Sequence, residues 1–169
     1  MVDILRESIW ISYHSLVNEV CTKHHHLCHF DSHRRLAAPV AAWEQLKIGG
    51  GTPPMLTSQG WLFLYHGVCE ALSMPDSAGR LRYSAGLLVL DEKHPHRIRY
   101  RSPEPVLTPD LSEERDGIVP NVVFPTAIDR RDDLGLPNRF DVYYGMADIR
   151  IGVARLDFSC SGWPKQPEE

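Results

Sequence analysis

The chain has 169 residues, 43% of them hydrophobic and 24% charged, with a formal net charge of −4. That length and balance describe one soluble domain with a real core, and they exclude the basic footprint that a nucleic-acid binder needs. No apolar run approaches the roughly 20 residues of a membrane helix, and the start MVDILRESIW lacks a basic segment followed by a long apolar stretch, so a cytoplasmic protein with no membrane partner is expected.

In chain order, RESIWISYHSL (residues 6–16) has the pattern of a strand, and the segment CTKHHHLCHFDSH (residues 21–33) is rich in cysteine and histidine. Imidazole and thiolate suit zinc or copper, yet the spacing matches no zinc pattern, and adjacent histidines point different ways on a regular backbone. No metal is assigned. The four cysteines, Cys21, Cys28, Cys69 and Cys160, contain no CxxC pair and are too few for a disulfide scaffold, so they are read as reduced thiols.

The stretch KIGGGTPP (residues 47–54), followed closely by GWLFLYHGV (residues 60–68), is the most informative part of the chain. Three consecutive glycines are read as a turn that lets a ligand or another backbone approach closely, which suits an anion site. A short hairpin through the Pro-Pro segment would return the following strand to that turn. Lys47 and His66 then form a candidate cationic pair.

From residue 60 onward the chain reads as short strands separated by Pro, Gly and Asp. GWLFLYHGV is followed by YSAGLLVLD (83–91), HRIRYRS (96–102), NVVFPTAI (121–128), RFDVYYGMAD (139–148) and RIGVARLDF (150–158). Their mixture of alternation and apolar runs predicts strands covered on both faces by other sheets. MPDSAGR (74–80) and RRDDLGLPNR (130–139) read as hairpin turns. No long amphipathic helix is predicted. Antiparallel units repeating every 40 to 50 residues or so are the period of propeller blades, although no repeated sequence signature stands out.

These segments carry a resemblance. WEQLKIGGGTPPMLTSQGWLFLYHGV, YSAGLLVLDEKHPHRIRYRSPEPVL, GIVPNVVFPTAI and VYYGMADIRIGVARLD, in that order, resemble glycoside hydrolase family 130, which holds β-mannoside phosphorylases and some β-mannosidases on a five-bladed β-propeller. The resemblance covers residues 43–158, with residues 1–42 only weakly assigned, and implies an all-β chain forming a single partial propeller of about three blades across residues 1–169. It further implies a C-terminal portion: no position matches the family's general-acid aspartate or the phosphate-binding arginines of its N-terminal blades, so the catalytic acid is unknown.

What the resemblance implies for chemistry is inverting phosphorolysis. Inorganic phosphate attacks the anomeric carbon of a β-mannoside, a single aspartate delivers its proton through a sugar hydroxyl, and mannose 1-phosphate leaves. Phosphate is the co-substrate and no metal or organic cofactor is implied. Lys47 matches the family's phosphate-binding lysine, His66 a phosphate-contacting histidine, and Tyr83 a tyrosine whose hydroxyl donates to phosphate. Asp148 matches a residue at the sugar and phosphate subsites, and Phe124 one whose aromatic face packs on a sugar. A β-mannoside hydrolase of the same family and a non-catalytic carbohydrate- or phosphate-binding remnant are the alternatives. Retention of Lys47, His66 and Tyr83 favours the phosphorylase, because a hydrolase needs a second carboxylate where a phosphorylase needs cations.

Each residue also has an ordinary reading. Lys47 alone would be a solvated charge, His66 a core histidine satisfied by backbone, Tyr83 a rim aromatic, and Asp148 a turn-former bonding its own backbone. Trp43, Trp61 and Trp163 fit sugar stacking or core packing, with Trp61 read as core. Glu113, Glu114, Asp116, Asp132 and Asp133 are read as solvated loop carboxylates, none of them a catalytic acid. Strand edges left open by missing blades are expected to drive association with a second copy or a companion chain.

Overall fold

The computed structural model describes residues 7–13, 31–71, 81–136 and 138–158. The turn read at residues 74–80, the cysteine- and histidine-rich run through residue 30, Cys160 and Trp163 lie outside those residues. Within them the chain is all-β. Ten strands form three antiparallel sheets, and the helical elements are a four-residue α1 (Ser112–Arg115) and two single 3₁₀ turns, Ala42–Glu44 and Asp132–Leu134. No helix among the described residues is long and apolar enough to cross a membrane.

The central sheet is built on two long strands, β5 (Gly60–Glu70) and β6 (Leu81–Leu90), paired from Trp61–Leu90 at one end to Glu70–Leu81 at the other. Strands β3 (Lys47–Gly50) and β4 (Met55–Thr57) lie in line along the far side of β5, and β7 (Ile98–Arg101) pairs with β6. A three-stranded sheet of β8 (Val123–Arg130), β9 (Arg139–Met146) and β10 (Arg150–Asp157) covers one face of the central sheet. The hairpin partners β1 (Ile9–Tyr13) and β2 (Asp31–Ala37) and the Ala42–Glu44 turn cover the other.

The glycine run corrects the turn expected there. Lys47–Gly50 is a strand, with Lys47 opposite Val68 and Gly49 opposite His66. The irregularity comes just after it, where the N–H groups of Gly51 and Thr52 both donate to the Leu64 carbonyl at 3.1 Å. The glycines serve space more than torsion. A Cβ on Gly49 would sit 2.4 Å from the His66 ring, and one on Gly51 would sit 2.7 Å from the Leu64 carbonyl oxygen and 2.8 Å from Pro125.

Because strand side chains alternate, β5 and β6 divide their residues between two cores. Phe63, Tyr65, Leu88 and Leu90 pack with Ile9, Ala37, Trp43 and Ile48. Leu62, Leu87 and Val89 pack with Phe140 and Phe158, and Leu64 and Ala85 with Val142. The prediction of double coverage holds for β5 and β6, whereas β10 buries one face only and leaves Ile151 and Val153 exposed. Trp43 is core, its indole lying over Gly67 and Gly86 and its Nε1–H donating to the Pro103 carbonyl at 3.1 Å. Trp61 is half-buried against the same core, with its indole N–H donating to the Glu92 carbonyl.

Two buried carboxylates lock the turns onto the sheets. Glu44, fully buried, accepts hydrogen bonds from the Val40 and Ala41 N–H groups, from the Tyr65 hydroxyl at 3.1 Å and from Arg101 at 2.7 Å. Glu114 corrects the expectation of a solvated loop carboxylate. It is 2% exposed, accepts from the Asp110 and Leu111 N–H groups, and accepts the Tyr144 hydroxyl at 2.8 Å. Burial is the main cause that lifts both tyrosines to about 12.

Removing either carboxylate orphans buried donors. We expect Glu44→Ala, which strands the Arg101 charge, to cost about 3–5 kcal/mol in urea unfolding. Glu114→Ala, which strands a phenol and two N–H groups, is expected to cost about 1–3 kcal/mol. A loss below about 0.5 kcal/mol at either position, the range of ordinary surface substitutions, would refute the lock.

Candidate functional site

The seam between the central and three-stranded sheets changes character along its length. It is apolar from Leu62, Val89 and Phe140 through Leu64, Ala85 and Val142. The next positions on the same face of β5 and β6 are His66, opposite Ala85, and Tyr83, opposite Val68. Lys47 on β3 is opposite Val68 from the other side and therefore shares that face. Phe124 on β8 closes the group, its ring centroid 4.4 Å from the His66 ring. The Tyr83 ring lies 6.0 Å from His66, and the Lys47 ammonium stands 5.9 Å from the Tyr83 centroid.

Lys47, His66, Tyr83 and Phe124 thus meet in one place, although they come from four strands of two sheets. The absence of a side chain at Gly49 gives the imidazole its floor. Nδ1 of His66 is buried without a hydrogen-bond partner, an orphaned acceptor that calls for a further polar group beside it. Burial lowers the His66 pKa first of all, and the neighbouring Lys47 charge lowers it further, while a hydrogen bond to the Gly50 backbone and the Glu7 carboxylate pull the other way. The imidazole is therefore neutral near pH 7. A neutral ring with a free Nδ1 accepts a hydrogen bond, as from a sugar hydroxyl or the P–OH of hydrogen phosphate, and donates only once protonated.

Asp148 stands apart from this cluster in the β9–β10 turn, exposed, with φ +58°. It is tied to it through backbone. The preceding Ala147, also left-handed at φ +47°, donates its N–H to the Val122 carbonyl at 3.1 Å, Val122 bridges to Tyr83, and the Tyr83 N–H donates to the Asn121 carbonyl at 2.9 Å. Asn121 is itself buried with φ +60°. Three non-glycine residues in the left-handed region, Asn121, Ala147 and Asp148, thus shape the backbone next to Tyr83, and two of them are the Asn and Asp that adopt that region most readily. Sequence reasoning passed over Asn121 and Ala147 because nothing in PNVV or GMAD marks a positive φ apart from the asparagine itself.

Glu7 was also missed. Its carboxylate is 3.3 Å from the Lys47 ammonium and largely exposed, and its carbonyl accepts the Ile48 N–H at 3.2 Å. An acidic side chain of the chain's own occupies the anion-seeking end of the lysine. Among the described residues no group of three or more metal-ligating side chains converges.

Comparison with known proteins gives this geometry its setting. A family model described as β-1,4-mannooligosaccharide phosphorylase of glycoside hydrolase family 130 matches residues 7–159. The chain belongs to glycoside hydrolase family 130. The match begins well upstream of Trp43, so β1 and β2 lie within the family's span. The chain is 39% identical over 126 residues to a β-1,4-mannooligosaccharide phosphorylase of Ruminococcus albus, covering 75% of this chain and 35% of that protein. It is 39% identical over 115 residues to a β-1,2-mannobiose phosphorylase of a Thermoanaerobacter species, covering 68% of this chain and 33% of that one. The solved β-1,2-mannobiose phosphorylase of Listeria innocua, in complex with β-1,2-mannobiose, superposes with a TM-score of 0.61 at 28% identity, over 76% of this chain and 33% of that one. The chain thus spans about a third of the length of these relatives. Its fold is the family's β-propeller, present as a part with two sheets and a hairpin.

The lowered His66 pKa sets a pH dependence. A histidine whose folded pKa lies below its unfolded value of 6.5 lets the unfolded chain bind its proton first. Its contribution to stability is complete above pH 6.5 and is lost as pH falls from there towards the folded value. A ring-proton titration by NMR should place the His66 midpoint below 6.5, and Lys47→Ala should move it upward. A midpoint at or above 6.5 would show that the imidazole is not held neutral.

Proposed function

We propose that this chain carries the phosphate side of the cleft of an inverting β-mannoside phosphorylase. In this reading an oxygen of inorganic phosphate attacks the anomeric carbon of a terminal β-mannosyl unit as the glycosidic C–O bond breaks. The leaving oxygen takes a proton from a carboxylic acid, and the products are mannose 1-phosphate and a shortened acceptor. The observation that carries it is the convergence of the Lys47 ammonium with the Tyr83 and His66 rings, Nδ1 of His66 being unpartnered, at the polar end of the inter-sheet seam. The phosphorylase names of the relatives support the same direction.

The roles divide by chemistry. Lys47 supplies a point charge for a phosphate oxygen, Tyr83 a donor, and His66 an acceptor for the remaining P–OH, which orients the attacking oxygen. Phe124 packs its ring on the imidazole at a tilt of 32° and offers an aromatic face to the sugar. Asp148 serves a sugar hydroxyl from the rim. No organic cofactor or metal is part of this reading, and a cytoplasmic setting, where phosphate is available and a buried thiol such as Cys69 stays reduced, suits it. The proton donor is not among these residues, so turnover requires an acid from a portion of the kind its longer relatives possess. Association with a further copy or companion chain belongs to the same reading, supported by the edge strand β10 with Ile151 at 79% and Val153 at 56% exposure.

The test is product analysis after incubation with mannose 1-phosphate and a panel of acceptor sugars. Released phosphate with a new disaccharide establishes the phosphorylase. With no release, saturable phosphate binding that Lys47→Ala weakens at least tenfold, about 1.4 kcal/mol, establishes the half-cleft. Mannose released from β-mannosides irrespective of phosphate would identify the hydrolase instead.

Glu7 competes with phosphate for Lys47 on this reading. An exposed ion pair is worth about 0.2–1 kcal/mol, so Glu7→Gln should tighten phosphate binding by about 1.5- to 5-fold in calorimetric titration. Weaker binding in that variant would show that Glu7 supports the site.

A further inference from the structure

A second basic concavity lies away from the mannoside cleft, between the β1–β2 hairpin and the turn that joins β6 to β7. It has a volume of ≈ 280 Å³ and is lined by Tyr13, Ser32, Arg34, Lys93, His94, Pro95 and His96. Tyr83 of the cleft stands near the start of β6 and this turn follows its end, so at about 3.4 Å per residue the two lie roughly 24 Å apart along the strand. Nothing in the phosphorylase reading uses it.

Its chemistry is one-sided. Arg34 and Lys93 bring two permanent positive charges, and neither forms an ion pair among the described residues. His94 and His96 add ring nitrogens, their centroids 5.9 Å apart. The Tyr13 hydroxyl and Nδ1 of His96 lie within a hydrogen bond of 3.2 Å, which leaves Nε2 of His96 free of that contact. No carboxylate is among the lining residues. Asp91, at the start of the turn, is engaged by the N–H groups of Lys93 and His94 at 3.0 and 2.8 Å, and that bonding shapes the turn.

We propose that this concavity binds a phosphate dianion, either free or as the phosphate group of a monosaccharide ester. Two fixed charges match a dianion better than a single carboxylate, the guanidinium fork and the ammonium differ in geometry as a tetrahedral oxyanion allows, and the imidazoles and the Ser32 hydroxyl supply further donors, with the Tyr13 hydroxyl orienting His96. The volume is just below the ~300–1,000 Å³ of drug-sized sites, which suits a ligand no larger than a sugar phosphate. The Tyr13 ring and Pro95 give it an apolar wall against which a sugar face can rest. This site is independent of the mannoside reading, since it shares no residue with it.

Histidine ring resonances of the full chain, assigned with His94→Gln and His96→Gln, provide the test. Titration with inorganic phosphate at pH 7 should shift the His94 and His96 rings saturably, Lys47→Ala should leave that response unchanged, and the double variant R34A/K93A should weaken it at least tenfold while keeping a dispersed spectrum. Tighter binding of mannose 1-phosphate than of phosphate would identify an ester as the ligand, and equal binding would identify the free ion. Shifts that grow without saturating, or that saturate equally in R34A/K93A, would overturn the proposal.

Discussion

Everything about the central sheet depends on one buried carboxylate. Glu44 has four donors around it, two backbone N–H groups, one phenol and one guanidinium, and a carboxylate taken out of water has to be met in this way or it unfolds its surroundings. Because those donors come from its own turn, from β5 and from β7, satisfying Glu44 fixes all three at once. Trp43 is thereby laid over Gly67 and Gly86, and β3 begins at a defined register so that Lys47 falls on the seam face while Ile48 falls in the opposite core. Arg101 also donates to the Ala38 carbonyl, which joins the end of β2 to the same knot.

The same device recurs in the other sheet. Glu114 accepts two N–H groups from the four-residue stretch before it and the hydroxyl of a tyrosine on the middle strand, as Glu44 does with Tyr65. The repetition that the propeller period led us to seek is thus present as a hydrogen-bond pattern, turn glutamate to strand tyrosine, and not as a run of similar residues. It hides because only two positions per unit are constrained, with spacings that differ between the units by the length of the intervening loops. Glu114 was read as solvated for the corresponding reason: a carboxylate in a polar loop is nearly always exposed, and only the position of Tyr144 in space reverses that expectation.

The strands from residue 60 onward were legible because their alternation, their β-branched and aromatic residues and their turn punctuation agree. Lys47–Gly50 was not legible as a strand, since glycine weakens the strand signal, and here it is kept for the room it leaves to an imidazole and to Pro125. The group Lys47, His66, Tyr83 and Phe124 could be named from motifs, but the reason they meet lies in parity and packing. Lys47, His66 and Tyr83 occupy the seam-facing register of β3, β5 and β6, whereas Phe124, opposite Gly145 and so of the other parity on β8, meets the His66 ring where the seam ends, a relation that exists only once those strands are paired and packed. Asp148 shows the limit of motif matching, because its placement rests on two left-handed residues that the sequence does not announce.

Parity also bears on how, in the proposed reading, this seam would receive an anion. An apolar interface that ends in polar groups gives those groups a low-dielectric wall on one side, and burial there, with a smaller push from the Lys47 charge, keeps the imidazole neutral. A neutral acceptor beside a fixed cation is suited to hydrogen phosphate, which brings both negative charge and one P–OH. It is poorly suited to activating water, because a base with a lowered pKa has little affinity for the proton it would have to remove. In the proposed phosphorylase the arrangement would therefore favour phosphate over water before any acid is considered. On the proposed reading, the acid would decide whether turnover occurs, while Lys47 and His66 would favour phosphate over water as the nucleophile held for it.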